Sequence, residues 1–346
     1  MIEMGLHAGG CLCGAVRFET EGDPWWVTTC YCRFCQKATG APVFIEPIFT
    51  RDRVRVTQGT PARHDHRSEG SGAILTIHFC ATCSVKTHYS FERFPDHVGI
   101  CAGAFDDPGW FDVRPDNSMH VFLDQALDGT PIPPGFDTYR AHYETTAGEP
   151  CTSTVYRAIT TVGTRRQAGG TRPSILPGGN EVDGHEGGCL CGALRYEIRG
   201  APERVTTCYC MFCQKVTGSP VFIEPIFRRE QLVFLTGIPE IYRHRSTGSG
   251  AMIDMHFCPV CSVRTHLAFE RFPDNVGLYA GTFDDPDWFD IRPEDSKHIF
   301  LDTALDGTII PPGFVTYREH ISTREGIPCP GTVHEAFHVV GTRRQG

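Results

Sequence analysis

The chain is one unit written twice, and this duplication constrains its fold more than any other feature of the sequence. Residues 9–167 align with residues 187–345 without a gap, at a constant offset of 178. About 100 of the aligned positions are identical. A unit of this size is a whole domain, because solenoid repeats are only roughly 20–50 residues long.

The repeat sets the domain organisation. We predict a first domain over residues 1–168, a linker over 169–186 that is rich in glycine and proline, and a second domain over 187–346. Two units this similar are expected to pack as an intramolecular pseudo-dimer about a pseudo-twofold axis, in the isologous way that dimers do.

Each unit is predicted to be mainly β. Short apolar runs rich in β-branched and aromatic residues recur between turn residues, and the 37 glycines and 25 prolines of the chain favour many turns. No stretch has sustained 3.6-residue periodicity. The run 73–79 leads into a CxxC turn and then into a second strand at 86–91, which is the form of a zinc knuckle hairpin.

Composition limits the class of function. The net charge of -9 argues against a nucleic-acid-binding surface. No apolar run approaches the roughly 18 residues of a membrane span, and residues 1–7 lack the features of a signal peptide. We therefore expect a soluble cytoplasmic protein without nucleic-acid or membrane partners, in which most of the 17 cysteines are metal ligands rather than disulfides.

The clustered thiols of each unit form a CxC pair, a CxCxxC triplet and a CxxC pair. The two pairs are predicted to form a closed structural zinc site with four sulfur ligands. These ligands are Cys11, Cys13, Cys80 and Cys83 in the first unit, and Cys189, Cys191, Cys258 and Cys261 in the second.

The triplets are predicted to be the reactive, catalytic centres. Three sulfurs on a single loop would leave one position of a tetrahedral zinc ion open, as reactive zinc sites do. The triplets are Cys30, Cys32 and Cys35 in the first unit, and Cys208, Cys210 and Cys213 in the second. We therefore expect up to four zinc ions per chain.

Two alternatives stay open at this stage. Oxidised cysteine pairs would replace the metal sites, and a fourth protein ligand would make each triplet a second structural site. Candidate fourth ligands are His78, His88 and Cys151, with their counterparts His256, His266 and Cys329. Cys101 has Tyr279 as its counterpart, so we interpret it as a small buried apolar residue.

Three motifs in each unit resemble those of the glutathione-dependent formaldehyde-activating (Gfa) family, which shares its domain with centromere protein V-like proteins. They are GCLCGAV at 10–16, CYCRFCQKATGA at 30–41 and FCATC at 79–83, repeated at 188–194, 208–219 and 257–261. The chain departs from a simple member in its duplication. It also has Ser84 and Ser262 where members often have glycine.

The resemblance implies a β-rich Mss4-like fold, with a structural zinc on the outer motifs and a reactive zinc on the middle one. It also implies a carbon–sulfur lyase or synthase that acts on the adduct of glutathione, or a similar thiol, with formaldehyde or another small aldehyde. The competing interpretation is a zinc-stabilised binding or scaffolding module without turnover.

A glutathione-like co-substrate needs cations for its carboxylates. Lys37 and Lys215, beside the triplets, are predicted to bind it. Other basic residues that the two units share are Arg67 with Arg245, and Arg93 with Arg271. The shared Glu46 and Glu224 are either proton-transfer groups or surface and strand-end carboxylates.

The residues around the triplets differ between the two units. Arg33 becomes Met211, and Trp25 and Trp26 become Glu203 and Arg204, although the cysteines are unchanged. We therefore expect two unequal pockets, or one working centre with a supporting domain.

Overall fold

The computed structural model describes residues 5–163 and 184–341. Most of the predicted linker lies outside the described residues, and a strand begins at Gly184, within the segment predicted as linker. The domain boundaries therefore remain predictions. None of the described helices is long and apolar enough to cross a membrane.

The two halves contain the same elements in the same order. The first has strands β1 (Leu6–Gly10), β2 (Arg17–Glu21), β3 (Trp26–Cys30), β4 (Phe44–Thr50), β5 (Val54–Gln58), β6 (Ala62–Arg67), β7 (Ile74–Phe79), β8 (Lys86–Phe91), β9 (His97–Ile100), β10 (Ser118–Val121), β11 (Thr130–Ile132), β12 (Asp137–Thr138), β13 (Thr154–Val155) and β14 (Thr160–Val162), with helix α1 (Arg33–Thr39). The second has strands β15 (Gly184–Gly188), β16 (Arg195–Arg199), β17 (Arg204–Cys208), β18 (Phe222–Arg228), β19 (Leu232–Thr236), β20 (Glu240–Arg245), β21 (Met252–Phe257), β22 (Arg264–Phe269), β23 (Phe272–Leu278), β24 (Ser296–Ile299), β25 (Ile309–Ile310), β26 (Val315–Thr316), β27 (Thr332–Val333) and β28 (His338–Val339), with helix α2 (Met211–Thr217).

Each half is built on one large sheet. In the first half its strand order is β13-β12-β10-β3-β4-β9-β8-β7-β6, and the second half repeats it as β27-β26-β24-β17-β18-β23-β22-β21-β20. The smaller sheets are β1-β2-β5 with β11-β14, and β15-β16-β19 with β25-β28. The prediction of two similar, mainly β domains is confirmed.

The knuckle hairpin forms as its sequence predicts. β7 and β8 pair antiparallel on either side of the CxxC turn, with His78 opposite His88. Ile77 and Tyr89 are buried in the core of the first half, and the first four residues of β8 are buried on both faces of the strand.

The triplet does not lie on a single loop, which corrects that part of the prediction. Cys30 ends β3, Cys32 is the N-cap of α1, and Cys35 lies in the first turn of the helix. Gly40 ends the helix in a left-handed conformation with φ of 76°. A seven-residue helix is too short to show helical periodicity in the sequence.

The two halves meet at the C-terminal ends of these helices. The 3-10 turn Ala102–Ala104 packs against α2, and its counterpart Ala280–Thr282 packs against α1. The Gly103 amide donates to the Gly218 carbonyl at 3.2 Å, and the Gly281 amide donates to the Gly40 carbonyl at 3.0 Å. These two contacts are the same contact related by the repeat, so the interface is isologous, as predicted.

Glycine permits this close approach. A Cβ added at Gly103 would lie 2.0 Å from the Gln214 carbonyl oxygen, and one added at Gly281 would lie 2.2 Å from the Gln36 carbonyl oxygen. The halves also exchange apolar side chains, because Leu12 packs against the core beside the second triplet and Leu190 against the core of the first half.

Candidate functional site

The CxC and CxxC pairs come together in each half, although they are far apart in sequence. Cys13 Sγ lies 3.5 Å from Cys11 Sγ and 3.6 Å from Cys80 Sγ. The corresponding distances from Cys191 Sγ in the second half are 3.5 and 3.7 Å. Sulfurs at the corners of a zinc tetrahedron are about 3.8 Å apart, so each group of four thiols could hold one such ion.

Each four-thiol group could supply all four ligands of a tetrahedral ion from protein side chains. Its four sulfur atoms lie within 4.8 Å of one another. Cys11 Sγ also accepts the Val16 amide at 3.2 Å, as Cys189 Sγ accepts the Leu194 amide. Such hydrogen bonds from backbone amides orient the sulfurs and stabilise their thiolate form. The geometry fits a structural site rather than a reactive one.

A buried cation from the other half lies beside each four-thiol group. Arg264 Nη2 donates to the Cys83 carbonyl at 2.9 Å, and Lys86 Nζ donates to the Ser262 carbonyl at 3.1 Å. Both cations are only 3% exposed. Burial, together with the charge of Arg264, lowers the pKa of Lys86 to about 7, and nearby Cys261 opposes that shift.

The triplet sulfurs also converge. The ligand atoms of each triplet lie within 4.8 Å of one another. The Cys35 amide donates to Cys32 Sγ at 3.3 Å, and the Cys213 amide donates to Cys210 Sγ at 3.4 Å. These bonds exist because Cys32 and Cys210 are helix N-caps, whose side chains accept from the free amides of the first turn.

The N-cap thiol is the most acidic of each triplet. Hydrogen bonds from Cys30 and Cys35 hold the pKa of Cys32 well below its usual value. Hydrogen bonds to Cys30 and Cys32, together with burial, raise the pKa of Cys35. A divalent cation would remove the remaining protons, because coordinating thiols bind as thiolates.

The candidate fourth ligands do not join the triplets. Within residues 5–163 and 184–341, each triplet group contains three ligand atoms and no fourth. The rings of His78 and His88 stack on each other with centroids 4.1 Å apart, and those of His256 and His266 do the same at 3.9 Å. Cys151 is exposed, and Cys329 is partly accessible. Each triplet is thus a three-thiol cluster to which the described residues add no fourth ligand.

The second triplet opens onto a cavity of about 540 Å³. Its wall includes thiol, carboxyl, basic and aromatic side chains. Among them are Cys210, Cys213, Phe212, Glu224, Arg204, Arg271, Lys297, Glu319, His320, Ser322 and Arg324. A volume in this range is typical of small-molecule sites.

A larger cavity of about 1010 Å³ lies between proline-rich loops of both halves. Its wall is mostly apolar and includes Tyr31, His120 and their counterparts Tyr209 and His298. None of the clustered cysteines lines it. The cavity at the second triplet is therefore the better candidate for chemistry at the thiols.

Glu224 is an enclosed carboxyl group in the wall of the smaller cavity. It lies on β18, and its Oε1 is buried without a hydrogen-bond partner in the described part of the chain. Burial raises the pKa of Glu224 to about 8, as it does for Glu46 in the first half. Both carboxyls are therefore partly buried groups whose pKa is raised towards neutral pH.

The predicted glutathione-binding lysines lie at the interface between the halves. Lys37 Nζ is 2.9 Å from Asp284 Oδ1, and Lys215 Nζ donates to the carbonyls of Ala104 and Phe105 at 2.9 and 3.0 Å. Neither lysine lines the cavity at the second triplet. Their assignment to a co-substrate remains a prediction, and the geometry gives them a role in holding the halves together.

Of the other predicted basic residues, only Arg271 lines the cavity at the second triplet. Arg67 and Arg245 bind loop carbonyls of their own halves, and Arg93 pairs with Glu144. In the sequence, Arg204 stands out only as a change from Trp26. Lys297 and Arg324 were not predicted, and their signal is that they replace Met119 and Thr146 at the offset of 178.

The repeated unit corresponds to a known protein family. The family model described as glutathione-dependent formaldehyde-activating enzyme (GFA) matches residues 6–125 and 184–303, which together exceed half of the chain. A Halomonas elongata protein named "Putative glutathione-dependent formaldehyde-activating enzyme" is 29% identical over 133 residues, covering 37% of this chain and 81% of that protein. A crystal structure of a Rhodobacter sphaeroides protein is 21% identical, covers 32% of this chain and 93% of its own, and has a TM-score of 0.23. The chain therefore belongs to the glutathione-dependent formaldehyde-activating enzyme family and carries the family's domain twice.

Proposed function

We propose that the chain is a zinc-dependent carbon–sulfur lyase or synthase that acts on the adduct of glutathione, or a similar thiol, with formaldehyde or another small aldehyde. One observation carries the proposal: a three-thiol cluster that could hold a metal opens onto a cavity of about 540 Å³ with an enclosed carboxyl group in its wall. A structural site would need a fourth protein ligand, and the described residues supply none.

The donor sets fit zinc. All-sulfur ligand groups with tetrahedral spacing favour zinc or an iron–sulfur cluster over harder cations. Cys11, Cys13, Cys80 and Cys83, with their counterparts, would hold structural ions, and the two triplets would hold reactive ones. A zinc ion held by three thiolates supplies a Lewis acid and favours the thiolate form of a bound thiol.

Glu224 is the residue that we assign to proton transfer. Joining a thiol to formaldehyde forms one carbon–sulfur bond, while the thiol loses a proton and the carbonyl oxygen gains one. A carboxyl group with a pKa of about 8 can accept and return that proton near neutral pH. The reverse reaction uses the same two transfers, so Glu224 serves both lyase and synthase directions.

The protein also orients the reactants. The helix N-terminus fixes Cys210 and Cys213, and Phe212 between them stacks on His244 with ring centroids 4.9 Å apart. Apolar side chains such as Ile226 and Leu267 line the same cavity. This partly apolar wall limits water around the reacting atoms, which strengthens the electrostatic effect of the polar groups present.

The test is an exchange measurement. We expect the native protein to accelerate formaldehyde exchange with glutathione, measured by NMR, and the double variant Cys35→Ser, Cys213→Ser to lose at least about 100-fold of that acceleration. The matched control is Cys151→Ser, Cys329→Ser, because these thiols lie outside the four clusters. Equal exchange with native protein, with the triplet variant and without protein would contradict the enzyme assignment.

Metal content tests the number of sites independently of turnover. Two four-thiol groups and two triplets predict about four zinc ions per native chain. The triplet variant is expected to keep the two ions of the four-thiol groups. A native content near two would show that the triplets do not hold metal. Glutathione binding without exchange would instead support the non-catalytic binding module.

A further inference from the structure

We infer that the two triplet centres are not equivalent: the second half binds the carboxylate-bearing thiol through Arg271, and the first half does not. The inference deepens the proposed function and rests on it for the identity of the thiol. Its basis is a set of charge differences around two otherwise matching thiol clusters.

In the first half the equivalent arginine is already neutralised. Arg93 Nη2 lies 2.7 Å from Glu144 Oε1 and also donates to the Thr145 carbonyl at 3.1 Å. The side chains of Arg93 and Glu144 are 24% and 19% exposed, so the ion pair is largely shielded from water. A substrate carboxylate would have to displace Glu144 to reach this guanidinium.

In the second half that partner carboxylate is missing. Ser322 stands at the position equivalent to Glu144, and both Ser322 and Arg271 line the cavity. No carboxylate pairs with Arg271 in the described ranges. Its guanidinium lies over the Phe272 ring, 5.8 Å from the centroid. A guanidinium over an aromatic ring keeps its edge donors available for a carboxylate.

Three further cations face the same cavity where the first half has uncharged residues. Arg204, Lys297 and Arg324 line the cavity and replace Trp26, Met119 and Thr146. Arg324 binds the Thr247 carbonyl at 2.9 Å, which fixes its position without neutralising its charge. Four cations thus share the cavity wall with two carboxyl groups, Glu224 and Glu319, and a third carboxylate, Glu203, lies outside the wall at 4.0 Å from Arg204.

The cations act on one another and on His320, which lines the same cavity. Burial and the charge of Arg204 lower the pKa of Lys297. Burial lowers the pKa of His320, and the charges of Arg271 and Lys297 add to that effect. In the first half, Glu144 offsets the effect of Arg93 on the equivalent His142. A carboxylate ligand would relieve this repulsion in the second half, so the cavity favours anionic substrates.

The test introduces a carboxylate beside Arg271, at the position where Glu144 pairs with Arg93 in the first half. In calorimetric titrations of metal-loaded protein with glutathione alone, we expect Ser322→Glu to weaken binding at least about tenfold. The matched control is Glu144→Ser, which changes the equivalent residue of the first half and is expected to leave the affinity of the second-half site within about twofold of the native value. Arg271→Gln should weaken glutathione binding as Ser322→Glu does, and Arg271→Lys should restore part of it.

A neutral thiol separates charge recognition from damage to the fold or the metal site. 2-Mercaptoethanol carries no carboxylate, so its affinity should be unchanged by Ser322→Glu and by Arg271→Gln. Unchanged glutathione affinity in Ser322→Glu, or weaker binding of both thiols, would overturn the inference, as would a loss of glutathione affinity in Glu144→Ser as large as that in Ser322→Glu. The titrations contain no aldehyde, so they do not depend on the proposed reaction. If glutathione binds as expected but the protein does not accelerate formaldehyde exchange, the proposed reaction is contradicted and the inference about Arg271 still holds.

Discussion

Ser84 and Ser262 follow the second cysteine of each CxxC turn and occupy a conformation that suits glycine. Their φ angles are 55° and 61°, in the left-handed region. The turn requires this conformation because the Ser84 amide donates back to the Cys80 carbonyl at 2.8 Å. Both serine hydroxyls are buried without a partner in the part of the chain that the structure describes. Each serine therefore adds backbone strain and an unsatisfied polar group.

We predict that Ser84→Gly and Ser262→Gly each stabilise the metal-loaded protein by about 1 kcal/mol, because relief of strain and of the buried hydroxyl exceeds the entropic cost of glycine. Urea unfolding measures the change. Ser84→Ala is the control, since it removes the hydroxyl and keeps the Cβ, and it should recover only part of the gain. A glycine variant less stable than the native protein would contradict the prediction.

At the scale of elements, a strand far along each half holds the triplet strand in place. β10 pairs parallel with β3, and β24 pairs parallel with β17. Tyr31 lies between two triplet cysteines in the sequence, and its hydroxyl oxygen is 3.0 Å from His120 Nδ1. The hydroxyl oxygen of Tyr209 is 2.9 Å from His298 Nδ1. Burial lowers the pKa of each histidine to about 4, so both are neutral at physiological pH.

These histidines should make stability depend on pH. The unfolded chain protonates them near pH 6.5 and the folded chain only near pH 4, so stability is fully present above pH 6.5 and falls as the pH decreases towards 4. Protonation of each histidine lowers the free energy of unfolding by at most about 3 kcal/mol. We predict that the double variant His120→Gln, His298→Gln has a shallower decrease in unfolding free energy between pH 7 and 5. Parallel curves for variant and native protein would contradict this assignment.

The sequence predicted elements whose signal is local and missed those built from distant residues. The β7–β8 hairpin was predicted because its strands and CxxC turn are contiguous, and β8 has the bounds expected from the sequence. The triplet helix was missed because seven residues show no periodicity. The extra cations in the wall of the cavity at the second triplet come from β17, β24 and the segment 319–324. These segments are far apart in sequence, so only comparison with the first half at the offset of 178 could have indicated them.

At the scale of the whole molecule, each four-thiol site faces a cation of the opposite half. A divalent ion bound by four thiolates has a net charge of −2, and buried Arg264 and Lys86 lie where they would offset that charge. Docking of the halves and metal binding would therefore be thermodynamically linked, because each would stabilise the other. This also explains why two cations are tolerated in the core of the interface.

We predict that Arg264→Met weakens zinc binding in the first half, at Cys11, Cys13, Cys80 and Cys83, by at least about tenfold, because the dianionic site loses its counter-charge. Competition with a chromogenic chelator measures the affinity. Lys86→Met should weaken the second-half site instead, and Arg243→Met is the control, since that side chain is 74% exposed. Unchanged zinc affinity in both buried-cation variants would contradict the linkage.

The covalent joining of the two halves has an evolutionary consequence. In a homodimer with twofold symmetry one gene encodes both subunits, so every substitution appears twice. Here the first half has Glu144 where the second half has Ser322, although both halves share an isologous interface. The fused chain can therefore change the residues around one triplet while the other half keeps the residues that its packing needs. A symmetric assembly of identical subunits cannot change one site alone.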